Sequence, residues 1–263
     1  MNIIVLGSGI MGRQVAALMS LLDFNVTVFS RKNYIEEVSK NKKKLSRLLK
    51  IKYNENDIHY NNLEEKYNQD SLIIECLSEN LELKKKFFEK FKHIKFGYYT
   101  NSSSFVSSEI SETTGLLHFF NPINLKILEV LKPSKTNVKN DLVYDAILER
   151  LKNINFKIFK VKPNRGFLGN SIIFFQISNF FYIYEKLKYN KDEILNLSKE
   201  LEINLDLLNI IDLVGVDTCL NIMKNLNEKD NRFYVPDLFS VALEKNILGK
   251  KNKTSIKDLF ADG

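Results

Sequence analysis

The chain has 263 residues, 44% of them hydrophobic, enough to bury a sizeable core and more than one domain normally needs. Its 39 basic and 32 acidic residues leave a net charge of +7, which favours an anionic partner. Composition also excludes several classes: two cysteines, Cys76 and Cys219, make no disulfide framework, metal-ligand spacing is absent, and no aromatic-interleaved basic motif points to nucleic acid.

NIIVL (2 to 6) is a run of strand length, and GSGIMG (7 to 12) follows at once. No basic leader precedes it, so the expected location is the reducing cytoplasm. RQVAALMSLL carries apolar residues at helical spacing, and NVTVFS (25 to 30) reads as the next strand. Helical spacing returns over Tyr34 to Leu49, with Ile35, Val38, Leu45, Leu48 and Leu49 sharing a face. Seven positive charges without an acid fall between Lys40 and Lys52, either a solvated face or a site for a phosphate-bearing ligand. A polar stretch runs to Asp70; then come the strand SLIIECL (71 to 77) and the charged helix ENLELKKKFFEKF. FGYYT, GLLHFF, ILEVLKP and NFKIFKVK are further strands. Strands alternating with helices imply a doubly wound, mostly parallel α/β sheet.

The pattern changes at Lys162-Pro163-Asn164-Arg165-Gly166. Beyond it helices dominate: IIFFQISNFFYIYEKL, KDEILNLSKEL, LDLLNIIDLV and PDLFSVALEKN. The most apolar stretch, residues 172 to 184, is too short to span a bilayer and carries Gln176, Ser178 and Asn179, so no membrane partner is expected. The expected division is therefore a nucleotide-binding domain over 1–163 and an all-α C-terminal domain over 164–263.

Three of only ten glycines are Gly7, Gly9 and Gly12. A G-x-G-x-x-G run that ends a strand and opens a helix is a dinucleotide fingerprint, and the first domain reads as Rossmann-like. Gly7 permits the tight turn, Gly9 lets a pyrophosphate approach, and Gly12 allows close helix–strand packing. The backbone around Ile10 and Met11 then offers unpaired N–H groups to the pyrophosphate. At the end of the second strand, where an acid usually holds the adenosine ribose, stand Ser30, Arg31 and Lys32. The cofactor is thus NAD or NADP, and a serine with two cations leans toward the 2′-phosphate of NADP.

GLLHFFNPINLKILEV (115 to 130) places His118, one of three histidines, in an apolar run. Read alone, it is a core histidine with a satisfied partner or the centre of a site. The blocks GSGIMG, IIECLSEN (73 to 80), TNSSSF (100 to 105), GLLHFFNPINLKILEV, RGFLGN (165 to 170) and IDLVGVDT (211 to 218) occur in one order. That series resembles the 3-hydroxyacyl-CoA dehydrogenase family over about four-fifths of the chain.

The resemblance implies hydride transfer between a nicotinamide and a 3-hydroxyacyl thioester. It makes His118 the acid/base, Glu129 its orienting carboxylate, and Ser103 and Asn170 groups that contact the substrate. It implies that Asn121, Glu79 and Asn80 shape the nicotinamide and substrate pocket, that Glu79 and Asn101 contact the cofactor, and that two chains pair through the helical domain. Neutral imidazole suits proton transfer in either direction near pH 7. His59 and His93 read as surface residues. The chain also departs from the pattern. The interval from His118 to Glu129 is one residue short, implying a tightened loop around Asn124, and the helical excursion after the second strand keeps only its first helix. Coenzyme A remains one carrier of the acyl group and an acyl carrier protein the other. A non-catalytic relative is the reading of a different class.

Overall fold

Short apolar runs bounded by turn residues become the strands of one sheet in a computed structural model of the protein. It describes residues 1–260 apart from Asn68, Thr136, Asn137, Asn204, Leu205 and Lys229. The chain divides into two units, Met1–Asn164 and Arg165–Gly263.

The first unit opens with β1 (Asn2–Leu6), α1 (Ile10–Leu21) and β2 (Asn25–Ser30). α2 (Ile35–Leu49) and β3 (Ile58–Asn62) follow. Then come β4 (Leu72–Glu75), α3 (Leu81–Phe91), β5 (Tyr98–Thr100) and a short α4 (Ser107–Ile110). β6 (Thr114–Phe119), β7 (Ile127–Leu131), α5 (Val138–Asn153) and β8 (Lys157–Lys160) complete it. The sheet order is β3-β2-β1-β4-β5-β6-β7-β8. Every pairing is parallel except β6–β7, whose connection is too short for a parallel crossover. Chain direction across the sheet reverses between β1 and β4, so a crevice is expected where their carboxyl ends meet.

Side-chain alternation divides the core. Ile3, Val5, Val26, Val28, Leu72, Ile74, Leu117, Phe119, Leu128 and Val130 pack with α1 and α5. Ile4, Leu6, Phe29, Ile73 and Tyr98 pack with the Phe87, Phe88 and Phe91 face of α3. Three elements of this unit escape the sequence reading: the single turn of α4, β3 and α5. β3 is a polar edge strand, IHYNN, without the apolar run that marks its neighbours. α5 buries Val143, Tyr144, Ile147, Leu148 and Leu151, a helical stripe that was present to be found.

α2 departs from its expected face. Val38, Leu45 and Leu49 are buried, but Leu48 is 49% exposed. The position that completes the stripe, one turn after Val38, is Lys42, which is only 3% exposed. Its ammonium donates to the Asn56 carbonyl at 2.7 Å and lies 5.2 Å from the centre of the Tyr53 ring. Burial lowers its pKa, and Glu55, Asp57 and Asp23 oppose that. Lys42 is therefore a tether for the segment that returns from α2 to β3, not a member of the surface cluster. A single helix stands between β2 and β3. Nearby, Asn54 donates to the Ser20 carbonyl and to Asp23, both at 2.9 Å, closing the same return.

The second unit contains α6 (Gly169–Glu185), α7 (Lys191–Glu200), α8 (Leu207–Val214), α9 (Val216–Asn227) and α10 (Asp237–Glu244). α9 is an addition to the sequence reading; Gly215, at φ +98°, ends α8 and starts it anew. The aromatic residues of α6 build the core, with Phe181 5.1 Å from Phe239 and 6.0 Å from Phe260 between ring centres. No helix of the described residues is long and apolar enough to cross a membrane.

Lys42→Glu is expected to lower stability by about 2 kcal/mol or more, because a carboxylate would face the Asn56 carbonyl without compensation. Lys43→Glu and Lys44→Glu, at exposed positions, should stay within about 0.5 kcal/mol. Urea unfolding of the three variants checks this; equal, small effects would return Lys42 to the surface cluster.

Candidate active site at the carboxyl edge of the sheet

The turn after β1 is built as a cradle. Gly7 adopts φ +98°, donates its N–H to Phe29 O at 2.8 Å, and leaves no room for a side chain, since a Cβ would lie 2.7 Å from Cys76 O. At Gly12 a Cβ would lie 2.1 Å from Gly7 O, so α1 rests on the loop itself. Gly9 differs: a Cβ there meets nothing within 4 Å, which leaves an open approach to the backbone. The first intrahelical bond is Arg13 N–H to Gly9 O at 3.1 Å. Ile10, Met11 and Gly12 therefore point N–H groups toward that approach, and no acid stands in the first turn. A pyrophosphate fits this cradle.

At the end of β2 the three residues behave differently. Ser30 is buried and its hydroxyl donates to Lys32 O at 2.6 Å, so it shapes the turn. Arg31 and Lys32 are exposed.

At the same edge, His118 and Glu129 lie directly opposite each other in the antiparallel β6–β7 pair. Their neighbours Leu117, Phe119, Leu128 and Val130 enter the α1–α5 core, so His118 and Glu129 project from the other face. His118 Nδ1 donates to Glu129 Oε2 at 2.8 Å, and both residues are buried. The segment between the two strands closes through a 3-10 turn at Ile123–Leu125.

A second buried carboxylate lies at the end of β4. Glu75, 0% exposed, is paired with Lys84 at 2.8 Å and accepts from Thr100 Oγ1 at 2.7 Å and from Leu77 N–H at 2.6 Å. Lys84, 1% exposed, also reaches Glu79 at 3.2 Å. Glu79 in turn accepts from Ser103 N–H at 2.7 Å, Ser102 Oγ at 2.9 Å, Ser103 Oγ at 3.1 Å and Ser104 Oγ at 3.3 Å. Burial pushes the Glu79 carboxyl up, but Lys84 and these hydrogen bonds outweigh it and hold it below the ordinary value. For Lys84 burial likewise works against the charge, and Glu75 and Glu79 overcome it to hold its pKa above the ordinary value. Burial beside Glu75 pushes the Cys76 thiol up, away from thiolate chemistry.

The structure thus brings Glu79 and Ser103 into one hydrogen-bonded loop and pairs His118 with Glu129. Asn101 supports the strand of His118, its Oδ1 accepting Phe119 N–H at 2.9 Å. Asn121 lies in the exposed turn after β6 and accepts from Gln14 Nε2 at 3.4 Å. Asn170 belongs to the second unit, buried in the first turn of α6. Sequence reading missed Glu75, Lys84 and Gln14. Lys84 was findable, because with Phe87, Phe88 and Phe91 it completes the buried stripe of α3. Among the described residues no group of three His, Cys, Asp or Glu side chains could hold a metal ion.

A glycine cradle at the switch point of a doubly wound sheet, with a buried His–carboxylate pair at the same edge, defines a nicotinamide-dependent oxidoreductase. Comparison with known proteins narrows the class. The NAD-binding domain of 3-hydroxyacyl-CoA dehydrogenase matches residues 2–161, and the C-terminal domain of that enzyme matches residues 166–258. The chain belongs to the 3-hydroxyacyl-CoA dehydrogenase family, and it is an oxidoreductase with a nicotinamide cofactor. A probable 3-hydroxybutyryl-CoA dehydrogenase of Bacillus subtilis is 25% identical over 282 residues, covering 98% of this chain and 96% of its own. A probable 3-hydroxyacyl-CoA dehydrogenase of Caenorhabditis elegans is 24% identical over 250 residues, covering 84% and 80%. Among solved structures, M. tuberculosis FadB2 shares the fold with a TM-score of 0.80 at 19% identity over 97% of both chains. The (S)-3-hydroxybutyryl-CoA dehydrogenase PaaH1 of Ralstonia eutropha shares it at 0.78 and 19%, again over 97% of both.

The two inner glycines separate packing from binding. Gly12→Ala should destabilise the fold by about 1–3 kcal/mol through overpacking. Gly9→Ala should leave the unfolding midpoint unchanged while weakening NADH binding at least about tenfold. Urea titration and NADH fluorescence titration test both; equal losses of stability would show that Gly9 is also a packing position.

Proposed function

We propose that the chain interconverts a 3-hydroxyacyl thioester and its 3-oxoacyl form, with His118 as the acid/base group. The observation that carries this reading is the buried contact of 2.8 Å between His118 Nδ1 and Glu129 Oε2 at the cofactor edge of the sheet. With Nδ1–H directed at the carboxylate, Nε2 is the nitrogen that meets the substrate hydroxyl. In oxidation Nε2 takes the hydroxyl proton, and the imidazolium so formed is stabilised by Glu129. In reduction Nε2 returns a proton to the new alkoxide. The cradle of Gly7, Gly9 and Gly12 would hold a nicotinamide nucleotide, whose chemistry when bound would be hydride acceptance in the first direction and hydride donation in the second.

Other assignments follow from the same reading. Ser103, carried on the loop that Glu79 fixes, and Asn170 contact the substrate oxygens; Asn121 borders the pocket. Coenzyme A is the acyl carrier, as in the names of the relatives, and the inward turn of Lys42 weakens the basic surface that a carrier protein would meet. α6 exposes Ile172, Phe175 and Tyr182, spaced to one side of the helix, and a second copy of the chain would cover that stripe. The cytoplasm is the compartment that suits two reduced cysteines, Cys76 and Cys219.

His118→Ala should lower kcat by about 10²- to 10⁴-fold, the usual worth of a positioned proton-transfer group, with little change in cofactor affinity and a lower melting temperature, because buried Glu129 loses its partner. Stopped-flow oxidation of 3-hydroxybutyryl-CoA tests it; full turnover in the variant would make His118 a core residue only.

For the nucleotide, NADP(H) should serve at least as well as NAD(H), because Arg31 and Lys32 are exposed where an acid usually stands. Arg31→Ala with Lys32→Ala should then raise KM for NADPH by about tenfold or more and leave that for NADH within about twofold. A wild type that strongly prefers NADH would mean that the two cations do not face the ribose.

A further inference from the structure

Gln14 stands two residues past the N–H groups that line the nucleotide cradle, on a side of α1 that faces another part of the chain. Its Oε1 accepts the backbone N–H of Ile123 at 3.0 Å, and its Nε2 donates to Asn121 Oδ1 at 3.4 Å. These partners lie 109 and 107 residues further along the chain. The segment they belong to, residues 120–126, leaves the strand that carries His118 and returns as the strand that carries Glu129. It is held at its start by Phe119 N–H on Asn101 Oδ1, 2.9 Å, and internally by Leu125 N–H on Pro122 O, 3.0 Å. Ile123 buries its side chain in the α1–α5 core. Between these fixed points Asn121 is exposed, and Gln14 is the side chain that grips it.

The chemistry of the grip is specific. Asn121 presents an acceptor and Ile123 a donor, and a carboxamide is the long, uncharged side chain that answers both at once. Glutamate answers only the N–H, methionine neither. Without Gln14 the Ile123 N–H, beside a buried side chain, loses its acceptor, which is costlier than losing a solvated bond.

We propose that Gln14 is a positioning residue for the dehydrogenase reaction: it ties the Asn121 segment to the first turns of the cofactor helix, so that the nucleotide cradle and the substrate-facing turn are held as one unit. The proposal rests on the placement of Asn121 beside the substrate in the functional reading above. Its test therefore has one readout that needs no catalysis. Hydrogen–deuterium exchange over residues 120–126 is measured on the full chain as wild type, Gln14→Met and Gln14→Glu, alongside steady-state kinetics with 3-hydroxybutyryl-CoA. In Gln14→Met the Ile123 amide should exchange about tenfold faster. The ratio kcat/KM for the thioester should fall about three- to tenfold, the scale of one or two net hydrogen bonds, while melting temperature shifts little and KM for the nucleotide stays within about twofold. Gln14→Glu, which keeps an acceptor for the Ile123 N–H, should restore the slow exchange. Unchanged exchange in Gln14→Met overturns the proposal, since burial of Ile123 would then hold the segment unaided. Faster exchange with unaltered kinetics overturns it as well. A wild type that turns over no 3-hydroxyacyl thioester sinks the functional reading instead, and the exchange result separates that failure from this one.

Discussion

The carboxylate of Glu75 imposes the constraint around which the carboxyl edge is arranged. It ends a strand whose other residues are buried hydrocarbons, and it has no access to water. A charge in that position persists only if it is paired and its lone pairs are filled. Lys84 supplies the pairing; Thr100 and the Leu77 N–H fill the rest. Meeting that demand draws α3, the loop after β4 and the end of β5 together. Lys84 then extends the arrangement to Glu79, whose oxygens collect the serine loop 102–104. Removing the lysine would leave fully buried Glu75 without its counter-charge and take one of several partners from Glu79.

His118 and Glu129 repeat the logic on a smaller scale. A buried imidazole and a buried carboxylate satisfy each other across an antiparallel pair, where opposite residues are held close by the ladder itself. The β6–β7 pairing, the one antiparallel pair among the described residues, is what makes this possible. A parallel crossover would have separated the two residues by a helix. The turn that reverses the chain is also the place where α1 reaches across through Gln14, so cofactor helix and catalytic strands share a boundary.

Much of this was legible because short-range chemistry carries its own signature. The glycines of the cradle, the apolar strands and the sequence blocks around His118, Ser103 and Asn170 identify the family before any coordinate is considered. The misses have physical causes. β3 is an edge strand of mostly polar residues held largely by its ladder to β2, so hydrophobic periodicity is blind to it. Lys42 was read as surface by its charge, yet it occupies an apolar-stripe position and finds a carbonyl 14 residues away. Ser30 was read as a ligand-facing hydroxyl, yet it spends its proton on the turn two residues on.

The sequence by itself determined the fold class, the nucleotide fingerprint and the residues available for proton transfer, because each depends on spacing within a few positions or on a run of side chains along one element. Only the tertiary structure decided which of those residues meet. The register that opposes His118 to Glu129, the burial that turns Glu75 and Lys84 into a pair, and the reach of Gln14 to Ile123 all join groups whose separation along the chain says nothing of their distance in space. Burial then sets the strength of each contact, since a charge or an amide gains most from a partner where water is excluded.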